Sequence, residues 1–334
     1  MPKNNNELLI FYIIKIQSIF RGYTFRNKYS KIKLHFNSSF FFNTENLPYS
    51  QLNHKNLITN DEIHYLFDNY SPLNEKLAVI CLKAIEYSNG CEYYGEWNQI
   101  NNQKHGRGIQ KWPEGPTYFG YFKYDEANGK GKLIFKEGEI YDGDWVDNRA
   151  NGYGNYLSEE VKYEGEWKND MQNGIGTETW KDGTVYIGEF RGGQKTGEGK
   201  FIESDGSYYV GNFLNNNFHG KGKYTWIDGR EYEGNWKYNK IDGEGVFKWK
   251  DGRKYIGQYK NDKKHGYGIF EWANGKKYRG FWRNGKQNGE GEIYNIKDKK
   301  WYKGFWRDGK RESNIEGKNH FSNDIENLNR ENTK

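Results

Sequence analysis

The sequence predicts a mainly β protein, an elongated single-layer antiparallel sheet of about ten stacked hairpin repeats with helices at its amino-terminal end. Two observations predict it. The pattern Tyr-x-Gly-x-(Trp/Phe/Tyr) recurs ten times, on Tyr93, Tyr118, Tyr141, Tyr163, Tyr186, Tyr209, Tyr232, Tyr255, Tyr278 and Tyr302, at a spacing that stays close to 23 residues. A fixed period of that size marks an array in which each small unit buries its apolar face only against its neighbours. Inside each period, rings and glycines also alternate at every second residue, which is the periodicity of a strand.

The unit that begins at Tyr163 justifies each element in turn. Tyr163, Gly165 and Trp167 share one face of a first strand, with Glu164 and Glu166 on the other. After a polar stretch, Gly174, Gly176, Glu178 and Trp180 alternate in the same way along a second strand. Asp182-Gly183 then supplies the positive φ of a tight turn. Glycine inside a strand lets another group approach the backbone, so rings of one hairpin are expected to lie over glycines of the next. All twelve tryptophans lie between Trp97 and Trp306. The composition is therefore a property of the array.

This unit resembles the MORN repeat (membrane occupation and recognition nexus), which reads close to YxGxWxxGxxxGxGxxxxxDG. The resemblance covers residues 93–310, with nine full copies and a truncated tenth at Tyr302, Gly304 and Trp306. The third copy departs from it, with Ser158-Glu159-Glu160 in place of the Asp-Gly turn. The resemblance implies a non-catalytic scaffold that docks partner proteins. Similar arrays belong to ciliary and flagellar assemblies of the radial-spoke type and to membrane-associated cytoskeleton, which implies a cytoplasmic, axonemal or cytoskeletal location. Two alternatives stay open: a peripheral membrane adaptor that binds acidic phosphoinositides, and a docking subunit of a separate enzyme.

The rest of the chain divides around the array. Residues 1–36 read as a basic amphipathic helix, 37–90 as a linker with short capping helices, 91–310 as the array and 311–334 as a disordered polar tail. Within 37–90 a short helix is expected over Asp61–Asp68. A better one is expected over Pro72–Tyr87, with Ser71 as its cap, an apolar stripe of Leu73, Leu77, Ile80, Cys81 and Ala84, and Ser88-Asn89-Gly90 as its stop. No acid stands between Leu8 and Phe36, where Lys15, Arg21, Arg26, Lys28, Lys31 and Lys33 are all basic. Such helices read as calmodulin targets or membrane-surface segments.

Residues 16–26 resemble the IQ motif, IQxxxRGxxxR, at every defining position: Ile16, Gln17, Arg21, Gly22 and Arg26. The resemblance implies a helix held by calmodulin or a related EF-hand protein. Ile16 and Phe20 would be apolar anchors, Gln17 would bond partner backbone, Arg21 and Arg26 would meet the partner's acidic surface, and Gly22 would allow close approach. Docking on the first hairpins as a plain cap, or on a membrane, is the alternative.

Nothing in the sequence asks for catalysis, and no enzyme, cofactor or metal is expected. His105, His219 and His265 each precede the first glycine of a Gly-x-Gly pair, so they occupy one repeat column, whereas a general base would be singular. The Gly-x-Gly pairs lie inside strands and lack the strand-to-helix setting of a phosphate loop. Two cysteines, Cys81 and Cys91, are too few for a disulfide framework or a zinc site. Residues 91–312 hold 38 Lys/Arg against 34 Asp/Glu, a near balance that argues against nucleic acid as a partner.

The aromatic face is the remaining candidate. A one-layer sheet has no second layer to cover it, and a long exposed apolar surface marks an interaction site. The expected docking residues are Tyr163, Trp167, Trp180, Tyr186, Tyr209, Trp226, Tyr232, Trp236, Trp249, Tyr255, Trp272, Tyr278 and Trp282.

Overall fold

The computed structural model describes residues 60–71 and 80–312, which belong to two compact units, one up to Asn217 and one from Phe218. The amino-terminal unit holds helix α1 (Asn60–Asn69) and twelve strands, from β1 (Ile80–Glu86) and β2 (Glu92–Asn98) to β12 (Tyr208–Leu214). The second unit holds the nine strands from β13 (Asn217–Thr225) to β21 (Lys310–Arg311). Within each unit every strand pairs antiparallel with its neighbours in sequence, so the expected meander of hairpins is present. The IQ-motif residues and 313–334 of the expected disordered tail lie outside the described residues, whereas Arg311 of that tail belongs to β21.

Two kinds of turn alternate. The polar stretch of the sequence is a two-residue hairpin loop with both residues at positive φ, as at Asn169 (51°) and Asp170 (67°) between β8 (Val161–Lys168) and β9 (Met171–Trp180). Asn, Asp and Gly tolerate this left-handed conformation, which suits the strand twist. The second loop residue also ties neighbouring repeats together. Asp170 Oδ1 accepts the N–H of Ala150 at 2.7 Å, and the Asp170 N–H donates to the Ala150 carbonyl at 2.9 Å. Asp125, Asn148, Asn216, Asn239 and Asp262 repeat that two-way contact. The other turn is the Asp-Gly corner, where Asp182 Oδ1 accepts the Thr184 N–H and Gly183 sits at φ 90°.

The two glycines of each Gly-x-Gly pair serve different ends. Gly174 has φ 94° beside a shift of strand register, where a bulge needs it. Glu166, on the opposite strand, accepts the N–H of Ile175 at 2.9 Å and so satisfies the bulge backbone. Gly176 instead lies under the ring of Tyr163, as Gly165 does. Ring-over-glycine packing is therefore internal to one hairpin, which corrects the expected seating of rings on the next hairpin. Between successive hairpins the rings meet one another, beside the strand pairing and the loop contacts. Tyr163 meets Trp167 of its own strand at 5.2 Å and Phe190 of the next repeat at 5.1 Å, both edge-on. The same alternation runs from Tyr93 to Phe213 in the first unit and from Tyr232 to Trp306 in the second. Edge-to-face contact is the favoured geometry for such rings.

The amino-terminal end differs from expectation. Helix α1 stands where Asp61–Asp68 predicts a helix, but 80–86 of the expected Pro72–Tyr87 helix form β1. That strand pairs with β2 from Ile80↔Asn98 to Glu86↔Glu92. An unpaired sheet edge leaves a row of backbone donors and acceptors unsatisfied, and a strand answers this where a helix cannot. Ser88-Asn89-Gly90, read as a helix stop, is the hairpin turn, with Asn89 Oδ1 accepting the Cys91 N–H. Helix α1 covers the opposite sheet face at this end. Its Ile63, Leu66 and Tyr70 pack on Tyr94, Ile109 and Phe119, and Glu62 pairs with Lys111 at 2.7 Å.

Candidate functional site

The expected docking residues separate into two sets by depth. Tyr163, Tyr186, Tyr209, Tyr232, Tyr255 and Tyr278 are wholly buried. Tyr163, Tyr186, Tyr232, Tyr255 and Tyr278 lie over their glycine pairs, and all six donate their hydroxyls to a carbonyl three residues on, as Tyr163 does to Glu166 at 2.9 Å. Burial pushes their phenols well above the usual tyrosine range. Trp167, Trp236 and Trp282 are buried too, and their indole N–H groups donate to the carbonyls of Gly154, Gly222 and Gly268 in the preceding repeat. These nine residues build the sheet and offer no surface, because the rings cover one another without a second layer.

Trp180, Trp226, Trp249 and Trp272 are only half-buried. They stand in the second strand or just beyond it, at the Asp-Gly corner, where neighbouring rings cover them only in part. In the second unit they interleave with Phe247 and Phe270: Trp226–Phe247 at 5.2 Å, Phe247–Trp249 at 4.3 Å, Trp249–Phe270 at 5.6 Å and Phe270–Trp272 at 4.7 Å. Arg230 lies over Trp226 and Arg253 over Trp249, each held by the aspartate of its own corner, Asp228 and Asp251. The result is a partly open aromatic strip with cations along one side.

A lysine column on the same face escaped the sequence reading. Its signal is a lysine two residues before the bulge glycine, in Lys104, Lys195 and Lys264. Lys195 is enclosed by Trp180, Tyr186 and Phe190 and pairs with buried Glu178 at 2.5 Å. Lys104 donates to Gln110 at 2.9 Å, and burial lowers its ammonium to about 8. Lys264 sits among Trp249, Tyr255, Phe270 and Trp282, between 4.3 and 5.4 Å from the ring centres. Burial, with Arg253 nearby, lowers it to about 8 as well.

In the histidine column, His105 and His219 pack edge-on against Tyr124 and Tyr238 of the following hairpin loop. Among the described residues no group of three His, Cys, Asp or Glu converges to hold a metal, and no helix is long and apolar enough to cross a membrane.

A repeating hairpin with a buried tyrosine over paired glycines defines a β repeat protein of one sheet face. The MORN repeat profile matches ten times, at residues 93–117, 118–140, 141–159, 163–185, 186–208, 209–229, 232–252, 255–277, 278–294 and 302–314. The chain belongs to the MORN repeat family, whose repeats suggest a protein-interaction or membrane-binding scaffold. No curated protein matches the chain. Among solved structures it is similar to the TCP domain of SAS-4 of Drosophila melanogaster, at 12% identity over 56% of this chain and 95% of that one, TM-score 0.30. It is similar also to the TCP10 domain of Danio rerio CPAP, at 12% identity over 59% and 92%, TM-score 0.33. Likeness at that level carries no argument about function.

Proposed function

We propose that the chain is a non-catalytic scaffold in which the array docks a partner protein on its aromatic strip. The half-buried run Trp226–Phe247–Trp249–Phe270–Trp272 carries this reading. The tyrosine column is satisfied internally, whereas these rings keep surface for a ligand to cover, and apolar surface of this kind is typical of interaction sites. Full-length protein with Trp226→Ala, Trp249→Ala and Trp272→Ala together should keep its far-ultraviolet spectrum and lose the partner recovered by affinity purification from its native cell. A triple variant that recovers the same partner in the same amount would refute docking there.

The finer part of the reading concerns recruitment and place. Residues 7–36 recruit calmodulin or a related EF-hand protein through Ile16, Gln17, Phe20, Arg21, Gly22 and Arg26, and the assembly is ciliary or cytoskeletal. The match of 16–26 to the IQ pattern and the absence of acids between Leu8 and Phe36 support this. A peptide of residues 7–36 should bind calmodulin, and Ile16→Ala with Arg21→Ala should remove the binding. Localisation of the tagged chain away from cilia and cytoskeleton would discard the placement. The membrane alternative rests on a basic sheet face, and the near balance of charge in the array weighs against it. Sedimentation with phosphoinositide vesicles at physiological salt tests it directly.

A further inference from the structure

The three column lysines differ in what answers their charge. Lys195 has an internal carboxylate, Glu178, supplied by the preceding repeat. Lys104 has the Gln110 amide, and Asp125 stands in the wall of the adjoining cavity. At the position equivalent to Glu178, the repeat before Lys264 carries Phe247: Tyr163 faces Glu178 across the strands as Tyr232 faces Phe247. An ammonium has three donors, and among the described residues the Lys264 ammonium has four rings about it and no acceptor. Beside it opens a cavity of about 270 Å³ whose walls include Phe270, Trp272, Trp282 and a second lysine, Lys286, but no carboxylate.

We infer that Lys264 is the seat for a carboxylate side chain of a docked peptide, which reaches the ammonium through this cavity and answers its charge as Glu178 answers that of Lys195, with its apolar neighbours against Trp249, Phe270 and Trp272. This rests on the docking reading above and adds the partner's chemistry: an acidic residue flanked by apolar ones. A charge-assisted bond in a ring-lined site is stronger than one in water, and a carboxylate there would offset the desolvation that lowers this ammonium. Face to face with a carboxylate, the site would match the internal pair that the chain already forms.

The test is selection of random dodecapeptides displayed on phage against the immobilised full chain. The expected result is enrichment of Asp or Glu at one fixed place by about tenfold over the library, the value of one such charged contact. Lys264→Met should abolish that preference while still selecting apolar peptides, and Lys264→Arg should keep it. Phe247→Glu should also abolish it, since an internal carboxylate then answers the ammonium as Glu178 answers Lys195. Should Lys264→Met fail to fold by circular dichroism, the contrast between Lys264→Arg and Phe247→Glu decides. Peptides without an acid preference in the native chain, or the same preference after Lys264→Met, would overturn this inference and leave docking intact. Failure of the native chain to select any peptide would overturn both. Acid-blind peptides, together with binding to phosphatidylserine vesicles that Lys264→Met removes, would assign the site to a lipid headgroup and overturn the peptide.

Discussion

The ring of Tyr163 closes over Gly176 of the paired strand, where a methyl group would collide with the phenol. Gly176→Ala must therefore displace a buried tyrosine, at a cost of about 1–3 kcal/mol from overpacking. Gly183, at the Asp-Gly corner, has open space around it and φ 90°. Gly183→Ala should cost only the conformational strain, about 1–2 kcal/mol. Thermal melts and hydrogen exchange separate the two, because Gly176→Ala should also loosen the Tyr163–Phe190 contact into the next repeat and Gly183→Ala should not.

Trp167 is held between Tyr141 and Tyr163, at 5.1 and 5.2 Å. Trp167→Ala should cost about 3–5 kcal/mol, the usual result of emptying a buried aromatic site. Trp272 is half-exposed, and Trp272→Ala should cost no more than about 1 kcal/mol. Urea denaturation of both variants would check the contrast. Equal losses would mean that the strip is as structural as the tyrosine column.

Glu178 and Lys195 form an ion pair with 1% and 5% of their side chains exposed. Glu178→Ala leaves a buried ammonium uncompensated and should cost about 3–5 kcal/mol. Replacing both, Glu178→Leu with Lys195→Met, should recover most of that loss, since an apolar pair removes the desolvation penalty. A double-mutant cycle on the urea midpoint gives the answer.

Stability should rise between pH 8 and about 10 and fall beyond it. Lys104 and Lys264 lie near 8 when folded and near 10.5 when exposed, so the unfolded chain binds more protons in that window. Their contribution is complete above the exposed value and lost as pH falls through the folded one. Buried tyrosines act in the opposite sense. Their folded phenols stay protonated while those of the unfolded chain ionise around 10, which favours unfolding as pH climbs further. The urea midpoint measured against pH should therefore pass through a maximum, and Lys264→Met should flatten its lower limb.

Much of the fold is legible in the sequence because the repeat presents the same local chemistry many times. The tyrosine period, the strand alternation and the Asp-Gly corner at Asp182-Gly183 each stand as read. The second loop was legible in principle, since Asn169-Asp170, Asn215-Asn216 and Asn261-Asp262 are pairs made for positive φ. Strand β1 was not. Ile80, Cys81 and Ala84 keep the apolar spacing of a helix, and the open edge of β2 decides otherwise for them, which is a tertiary demand. The candidate site was half legible. Tyr163 and Trp180 share a face, so alternation alone places them together. Whether a ring leans onto glycine and disappears or stays at the rim depends on neighbours across the strands.

The hold between each hairpin loop and the strand before it is a latch repeated once per unit. Asp170 takes the Ala150 N–H on its carboxylate and gives its own N–H to the Ala150 carbonyl, so both bonds must break before the two part. Pulled from its carboxyl end, a unit so latched should peel one hairpin at a time, each release baring the next catch. Stretched between its ends, such a unit should therefore lengthen in steps of one repeat, each step ending at the next intact catch.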